Sequence, residues 1–265
     1  MSSNQEKILN LYSGGTEENR DIKSRYSGME FYYTKKILSK YIKKNSDVVE
    51  IGCATGYYGM HFANSCKEYV GIDLCSDNID AFNVKINNSV MKNLRAEVGD
   101  ATCLHNVADK SFDVVLCLGP MYHLPDEERE SAFKECKRIA REGAVIAFSY
   151  INGIGVYAGA CANDKWRSIY PNKNTNKHVF EYKTDDEKPG VFFFTSPEEM
   201  EETAKRQGLE VLENHGLDFL FFASAVDMMS DEKYGCFLEL TDRMCENRFC
   251  TGLANHALLI CKNTK

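Results

Sequence analysis

The sequence predicts a doubly wound, mainly parallel α/β sheet of seven strands, with helices on both faces and helical cap insertions. Three observations carry this. Short apolar runs alternate with helical patterns, which is the order of β–α units. The first run, VVEIG at 48–52, enters a turn with glycine at 52, 56 and 59. The first three runs each carry an acid at or near their end: Glu50, Asp73 and Asp100.

The elements follow in order. Residues 1–27 are polar and read as a short helix and a loop. Met29, Tyr33, Ile37 and Tyr41 recur at a spacing of four, so a helix is expected over 29–44. Lys43 and Lys44 would close it at the negative end of its dipole. After the strand at 48–52 a helix is expected from Tyr57 to Cys66. YVGIDL (69–74) is the second strand. Ser76 is placed to cap a helix bearing Ile79, Phe82, Ile86 and Val90. AEVGD (96–100) and FDVVLCLG (112–119) are the third and fourth strands.

Pro125 and Asp126 open a helix with acids at its start, KRIAR at its end and Gly143 as its stop. AVIAFSY (144–150) is the fifth strand. Ser196, Pro197 and Glu199 form a helix start with N-cap, first-turn proline and capping-box acid. That helix ends at Gly208. LEVLENHG (209–216) and HALLICK (256–262) are the last strands. One domain is expected: a lid and helix over 1–45, a core over 46–150, and insertions at 151–190 and 218–252. The second insertion contains an amphipathic helix after Ser230. Long connections at strand ends often build a substrate pocket, which is the role expected of both. A surface loop is the alternative for the first.

Composition narrows the function. The chain has 265 residues, 27% charged and 43% hydrophobic, with a net charge of −7. An acidic chain is a poor general binder of phosphate backbones, so nucleic acid is not the expected partner. Apolar runs such as Phe219–Val226 fall short of a membrane span, and the N-terminus lacks a signal-peptide layout. A cytoplasmic protein without a membrane partner is expected. The 11 cysteines include no CxxC pair, and several lie in apolar runs, as Cys75, Cys117 and Cys261 do. Neither a metal site nor a disulfide framework is expected.

The turn pattern is E-x-G-x-A-x-G, not the G-x-G-x-x-G of dinucleotide sites. Glycine there lets a ligand approach the backbone, and the N–H groups of the next helix face it. Asp73, 23 residues after Glu50, is placed to accept both hydroxyls of a ribose. Asp100 is placed to accept from an exocyclic amine such as that of adenine. Three carboxylates in one crevice repel a pyrophosphate. They suit a ligand with an amino group, a ribose, an adenine and a positive sulfonium.

The series VVEIGCATG, VGIDL, EVGDA and FDVVLCLG resembles the class I S-adenosylmethionine-dependent methyltransferases, closely over 28–150 and more loosely beyond. The resemblance implies a Rossmann-like sheet and S-adenosylmethionine as cofactor, released as S-adenosylhomocysteine. It implies that Glu50, Gly52 and Gly56 line the methionine part, with Ala54 and Thr55 in the same turn. Asp73 would hold the ribose, with Leu74 near the adenine. Asp100 and Ala101 would flank the adenine, and Leu118 would sit near the reactive methyl. Ala54 departs from the family, where many members have glycine.

LGPMYHLP (118–125) follows strand four, where family members contact the transferred methyl. His123 is a candidate base and Tyr122 a candidate pocket wall; a turn cap and a packing residue are the alternatives. Around Arg20, Arg25, Tyr26 and Glu30 the relatives often close a lid. Arg25 is a candidate partner for a substrate carboxylate, or one half of a solvated ion pair. Tyr26 is a candidate substrate contact beside it. Trp166, with Tyr157 and Tyr170, either walls a substrate pocket or forms the insertion's own core. The expected activity is methyl transfer to a small molecule. A cofactor-binding protein without transfer activity is the alternative, and a nicotinamide oxidoreductase fails on the glycine pattern.

Overall fold

The computed structural model describes residues 3–17, 24–162, 164–185, 187, 190–219 and 223–264. Its centre is a seven-stranded sheet in the order β3-β2-β1-β4-β5-β7-β6. The strands are β1 (Asp47–Ile51), β2 (Glu68–Asp73), β3 (Leu94–Val98), β4 (Phe112–Cys117), β5 (Ala140–Ile151), β6 (Leu209–Gly216) and β7 (His256–Asn263). The first five are parallel, while β7 pairs antiparallel with both β5 and β6. The strand order reverses between β1 and β4, the switch point at which such sheets bind ligands.

Alternation along the strands divides the core in two. Val48, Leu116, Leu258 and Ile260 face a layer built from α2 (Arg25–Leu38), α3 (Tyr57–Phe62), α4 (Ser76–Asn87) and α10 (Asp231–Glu246). Val49, Ile51, Val115, Phe148 and Leu259 face α5 (Asp126–Ile139) and α8 (Pro197–Arg206). Cys75, Cys117 and Cys261 are buried with free thiols. Among the described residues no helix is long and apolar enough to cross a membrane.

Several boundaries differ from the sequence reading, each for a local reason. α2 starts at Arg25 because the Ser24 hydroxyl accepts from the Ser27 N–H, and it ends before Tyr41. Its basic last turn is Lys35 and Lys36 rather than Lys43 and Lys44. Helix α3 stops at Phe62 and tightens into a 3₁₀ turn over Ala63–Ser65. Ser76 opens α4 without capping it, and Val90 lies beyond the helix, exposed. β3 begins two residues early, and β4 ends at Cys117. Gly143 does not stop α5, which ends at Ile139. It sits inside β5 at φ +80°, where the register against β4 jumps from Ala140 to Val145. This is a bulge, a use of left-handed glycine that local sequence does not separate from a helix stop.

The capping of α8 by Ser196 is as expected, and Ser230 likewise caps the helix expected after it, each hydroxyl accepting from an N–H three residues on. The Glu199 carboxylate instead accepts from the Thr195 hydroxyl. The first insertion carries α6 (Gly153–Ala162), α7 (Lys173–Lys177) and one π-helical turn. These enclose a small apolar cluster of their own around Tyr157, Tyr170, Val179 and Phe194. The second insertion packs α9 (Ala223–Val226), α10 and α11 (Arg248–Thr251) into the α2 layer. There Tyr33 donates to the Leu238 carbonyl and Lys36 pairs with Asp242 at 2.7 Å.

Two helical glycines test this packing in opposite senses. A Cβ on Gly155 would stand 1.8 Å from the Ala254 carbonyl oxygen, whereas one on Gly235 in α10 would meet nothing within 4 Å. Gly155→Ala is expected to destabilise by about 1–3 kcal/mol. Gly235→Ala is expected to stabilise by about 0.5–1 kcal/mol. Thermal melts of the two variants should therefore move in opposite directions.

Candidate active site

The site lies at the carboxyl ends of the parallel strands. β1 runs into the turn Gly52–Gly56, which holds three left-handed residues: Gly52, Ala54 and Gly56 at φ +82°, +46° and +83°. A Cβ on Gly52 would press to 2.5 Å from the Leu118 carbonyl oxygen, and one on Gly56 to 2.1 Å from the Phe82 ring. These two positions require glycine. Ala54 holds the same hand at a cost of roughly 1–2 kcal/mol, and its N–H donates to Asp73 Oδ2 at 2.8 Å.

The three acids have different environments. Glu50 is 1% exposed and accepts from the Tyr69 hydroxyl at 2.7 Å. Burial pushes its carboxyl up to about 8, against the lowering effect of that hydrogen bond. Asp73 Oδ1 accepts from the Cys75 N–H and the Asn78 amide, so the acid supplies the cap that Ser76 does not. Burial also raises Asp73. Asp100 Oδ1 accepts from the Thr102 N–H and hydroxyl, and its Oδ2 from the Gln5 amide at 2.6 Å.

A cavity of about 650 Å³ opens above these residues, a size typical of ligand sites. Every residue expected to hold the cofactor lines it: Glu50, Gly52, Ala54, Thr55, Gly56, Asp73, Leu74, Asp100, Ala101 and Leu118. Tyr122 and His123 line it as well. Their loop is pinned by the buried Arg129, whose guanidinium donates to the Met121 and Leu124 carbonyls and pairs with Asp126 at 2.9 Å. His123 Nδ1 lies 2.8 Å from the Val191 carbonyl oxygen and Nε2 lies 2.8 Å from the Tyr12 hydroxyl. Burial pushes the ring down to about 4, so the imidazole is neutral, with Nδ1 donating and Nε2 accepting.

Three expected substrate residues do not line the cavity. Arg25 ion-pairs with Asp231, donates to the Met229 carbonyl and stacks 4.4 Å over the Tyr234 ring. It ties α2 to the start of α10 across 204 to 206 positions of sequence. Tyr26 belongs to the same seam; its backbone N–H donates to Asp227 at 3.0 Å. Trp166 packs into the first insertion's own core, 6.4 Å from Tyr170. Arg20 lies outside the described residues.

The cavity also has walls the sequence reading missed. Helix α1 (Ser3–Tyr12) lays Gln5, Ile8 and Tyr12 over it. Glu30, Lys35, Lys85 and Ser149 complete the lining used below. Lys85 donates to the Thr55 carbonyl and hydroxyl, and Lys35 to the Tyr57 hydroxyl at 2.9 Å. A lid was expected over 1–45 without these residues of α1, and the periodicity of α2 and α4 marks a buried face without saying that the face meets a ligand.

Glu50 makes stability depend on pH. Its folded value near 8 stands above the ordinary unfolded carboxyl value, so the native state holds a proton that the unfolded chain releases. This contribution is present below about pH 4.5 and is lost as pH rises toward 8. Glu50→Gln keeps the acceptor for Tyr69 and removes the titration. The variant's unfolding free energy is expected to gain on the parent's from pH 5 to pH 8, with a slope of up to about 1.4 kcal/mol per pH unit. Parallel curves would refute the buried neutral carboxyl.

Comparison with known proteins agrees with this geometry. Residues 48–143 match the family model described as a methyltransferase domain. An uncharacterized methyltransferase of Schizosaccharomyces pombe is 27% identical over 123 residues, 44% of this chain and 43% of that protein. A ubiquinone biosynthesis O-methyltransferase of Hahella chejuensis is 29% identical over 109 residues, 40% of this chain and 43% of that protein. The chain thus matches less than half the length of these curated relatives.

Among solved structures, a Haemonchus contortus phosphoethanolamine N-methyltransferase, in complex with phosphomonomethylethanolamine and S-adenosylhomocysteine, superposes with a TM-score of 0.64 at 13% identity. That match covers 100% of this chain and 61% of the other. The [4+2]-cyclase SpnF gives 0.63 at 12% identity, over 98% and 97%. At such identities the likeness is one of fold. Residues 48–143 thus match a methyltransferase domain, and the chain as a whole shares the fold of these solved structures.

Proposed function

We propose that the chain transfers a methyl group from S-adenosylmethionine to a small-molecule acceptor. The observation that carries this reading is a single cavity, lined by the three strand-end acids and continuing past Leu118 to the loop of Tyr122. Asp73 would accept the ribose hydroxyls, and Asp100 would face the adenine between Leu74 and Ala101. The glycine turn would pass along the methionine part, its path fixed because a Cβ at Gly52 or Gly56 would strike Leu118 or Phe82. S-adenosylmethionine supplies a methyl group made electrophilic by its sulfonium. The protein's task is then to hold a nucleophile in line with the S–CH3 bond and to keep water out, which rests mainly on position.

His123 serves in this reading as a latch. Both ring nitrogens are engaged, and a proton-transfer role would need the bond to Tyr12 to open first. The acceptor class is supported by the net charge of −7 and by relatives named for ubiquinone biosynthesis and phosphoethanolamine methylation. One of these is named for O-methylation and the other for N-methylation. A second reading is cofactor binding without methyl transfer, since a protein named as a [4+2]-cyclase shares the fold and fold does not fix activity.

Calorimetric titration separates these possibilities. S-adenosylhomocysteine is expected to bind at micromolar concentration and NADH not at all. Asp73→Asn should weaken the first by roughly tenfold or more, the effect of losing a charge-assisted hydrogen bond. Unchanged affinity would remove Asp73 from the ribose. Absence of S-adenosylhomocysteine binding would remove the cofactor itself. Tight binding with no consumption of S-adenosylmethionine in metabolite extracts would select the second reading.

A further inference from the structure

We infer that Lys35 of α2 and Tyr57 of α3 together form a receptor for one carboxylate on the cavity wall. This rests on the methyltransferase reading above and adds a recognition site to it.

Helix α2 carries three cations, and the structure uses them differently. Arg25 pairs with Asp231, and Lys36 with Asp242 at 2.7 Å. Lys35 is half-buried and lines the cavity instead. Its ammonium donates to the Tyr57 hydroxyl at 2.9 Å and lies 5.0 Å from the centre of that ring. Among the described residues no carboxylate pairs with it. Glu30, earlier on the same helix, lies 3.9 Å from His256 Nδ1 on the β7 side. Lys85, the other lysine on the wall, donates to the Thr55 carbonyl and hydroxyl. Lys35 is thus a cation at a cavity, held by a phenol and by no acid, with donor capacity left over.

Tyr57 doubles the donor set. Its oxygen accepts from Lys35, so its own O–H proton points elsewhere, and among the described residues nothing accepts it. Ammonium and phenol therefore present two donors 2.9 Å apart, a fork that suits the two oxygens of one carboxylate. The fork is held in place. Phe31 lies one turn before Lys35 on the same face of α2, and its ring meets that of Tyr57 edge-to-face at 4.5 Å. The Tyr58 ring meets Tyr57 from another side at 5.4 Å. His61, also on the wall, is held below its ordinary value by burial and by the Lys35 charge, so its ring adds no second cation near neutral pH. One positive charge matches a carboxylate and leaves a phosphate dianion unbalanced.

Tyr57 is the first residue after the glycine turn, along which the methionine part of the cofactor passes in the reading above. The amino-acid end of S-adenosylmethionine carries one carboxylate and is one source of the ligand group. The cavity also continues to Gly119 and to Ser149 of β5, whose hydroxyl accepts from the Gly119 N–H at 3.0 Å. An acceptor lying between that end and α2, and bearing a carboxylate, is the other source.

The test is calorimetric titration of the full chain with S-adenosylhomocysteine and with 5′-methylthioadenosine, which lacks the amino-acid end. Lys35→Met keeps the stem and removes the charge. If the carboxylate is the cofactor's, Lys35→Met weakens S-adenosylhomocysteine by about tenfold or more and leaves 5′-methylthioadenosine within about twofold of the parent. If it is the acceptor's, neither nucleoside responds. Benzoate, titrated into protein saturated with S-adenosylhomocysteine, then binds the parent about tenfold tighter than benzyl alcohol does, and Lys35→Met removes that preference. In either case Lys35→Arg retains the effect, and Tyr57→Phe loses about threefold of it. Equal weakening of both nucleosides by Lys35→Met would overturn the inference. So would an unchanged S-adenosylhomocysteine affinity together with no preference for benzoate. Failure of both nucleosides to bind the parent would instead strike the methyltransferase reading, and the receptor with it.

Discussion

The carboxylate of Asp73 is the joint on which the site is built. It accepts from Ala54 in the turn after β1, from Cys75 at the start of α4 and from Asn78 inside that helix. One side chain therefore sets the left-handed path of the turn, the end of β2 and the entry of α4. Gly52 and Gly56 permit this path, but they do not choose it; glycine reaches many conformations at equal cost. The acid chooses, because a buried N–H left without an acceptor is expensive. Since the same carboxylate faces the cavity, the group that shapes the cradle also presents acceptor capacity to whatever lies there.

The two edges of the sheet use acids in opposite ways. At the amino ends Asp47 meets Lys67 at 3.0 Å and Arg141 at 3.0 Å, and Arg141 also meets Asp113 at 2.8 Å. Burial opposes ionisation of Asp47, but those two cations outweigh it and hold its carboxyl below the usual range. At the carboxyl ends the partners of Glu50, Asp73 and Asp100 among the described residues are a phenol, hydroxyls, amides and backbone N–H groups, none of them a cation. The first arrangement completes its own charge and serves stability. The second has no such cation, and burial raises the carboxyls of Glu50 and Asp73, the kind of perturbation that clusters at functional sites.

What could be read from the sequence follows the range of the interactions involved. β6 is found at 209–216, and β7 at 256–263 against an expected 256–262, because a buried strand is a local apolar run. The glycine turn of the cavity was legible for the same reason: Glu50, Gly52 and Gly56 lie within seven positions of one another. Arg25 stayed open between a substrate carboxylate and an ion pair because its partner, Asp231, lies on an element whose neighbourhood no local pattern announces. Glu30, Asp218 and His256 come from α2, the chain after β6 and the start of β7, and only the antiparallel return of β7 brings them together. Trp166 was ambiguous in kind: an aromatic cluster reads alike whether it surrounds a ligand or itself, and here Tyr157, Tyr170 and Phe194 fill the space.

Helix α1 couples the two ends of the cavity through rigidity rather than through many contacts. Gln5 reaches Asp100 past the end of β3, and Tyr12 reaches His123 past the end of β4. Seven helical residues span about 10 Å, close to the roughly 14 Å of three strand spacings once side-chain reach is added. Asn4 adds a bond to the His123 carbonyl, and the Gly14 N–H one to Asp77. One helix thus carries both contacts, to Asp100 and to His123. The Tyr12 bond needs a neutral imidazole, because Nε2 must accept. Burial holds the His123 ring down to about 4, and this keeps the acceptor present at any physiological pH. The contact between α1 and the His123 loop therefore does not depend on the protonation of this ring near neutral pH.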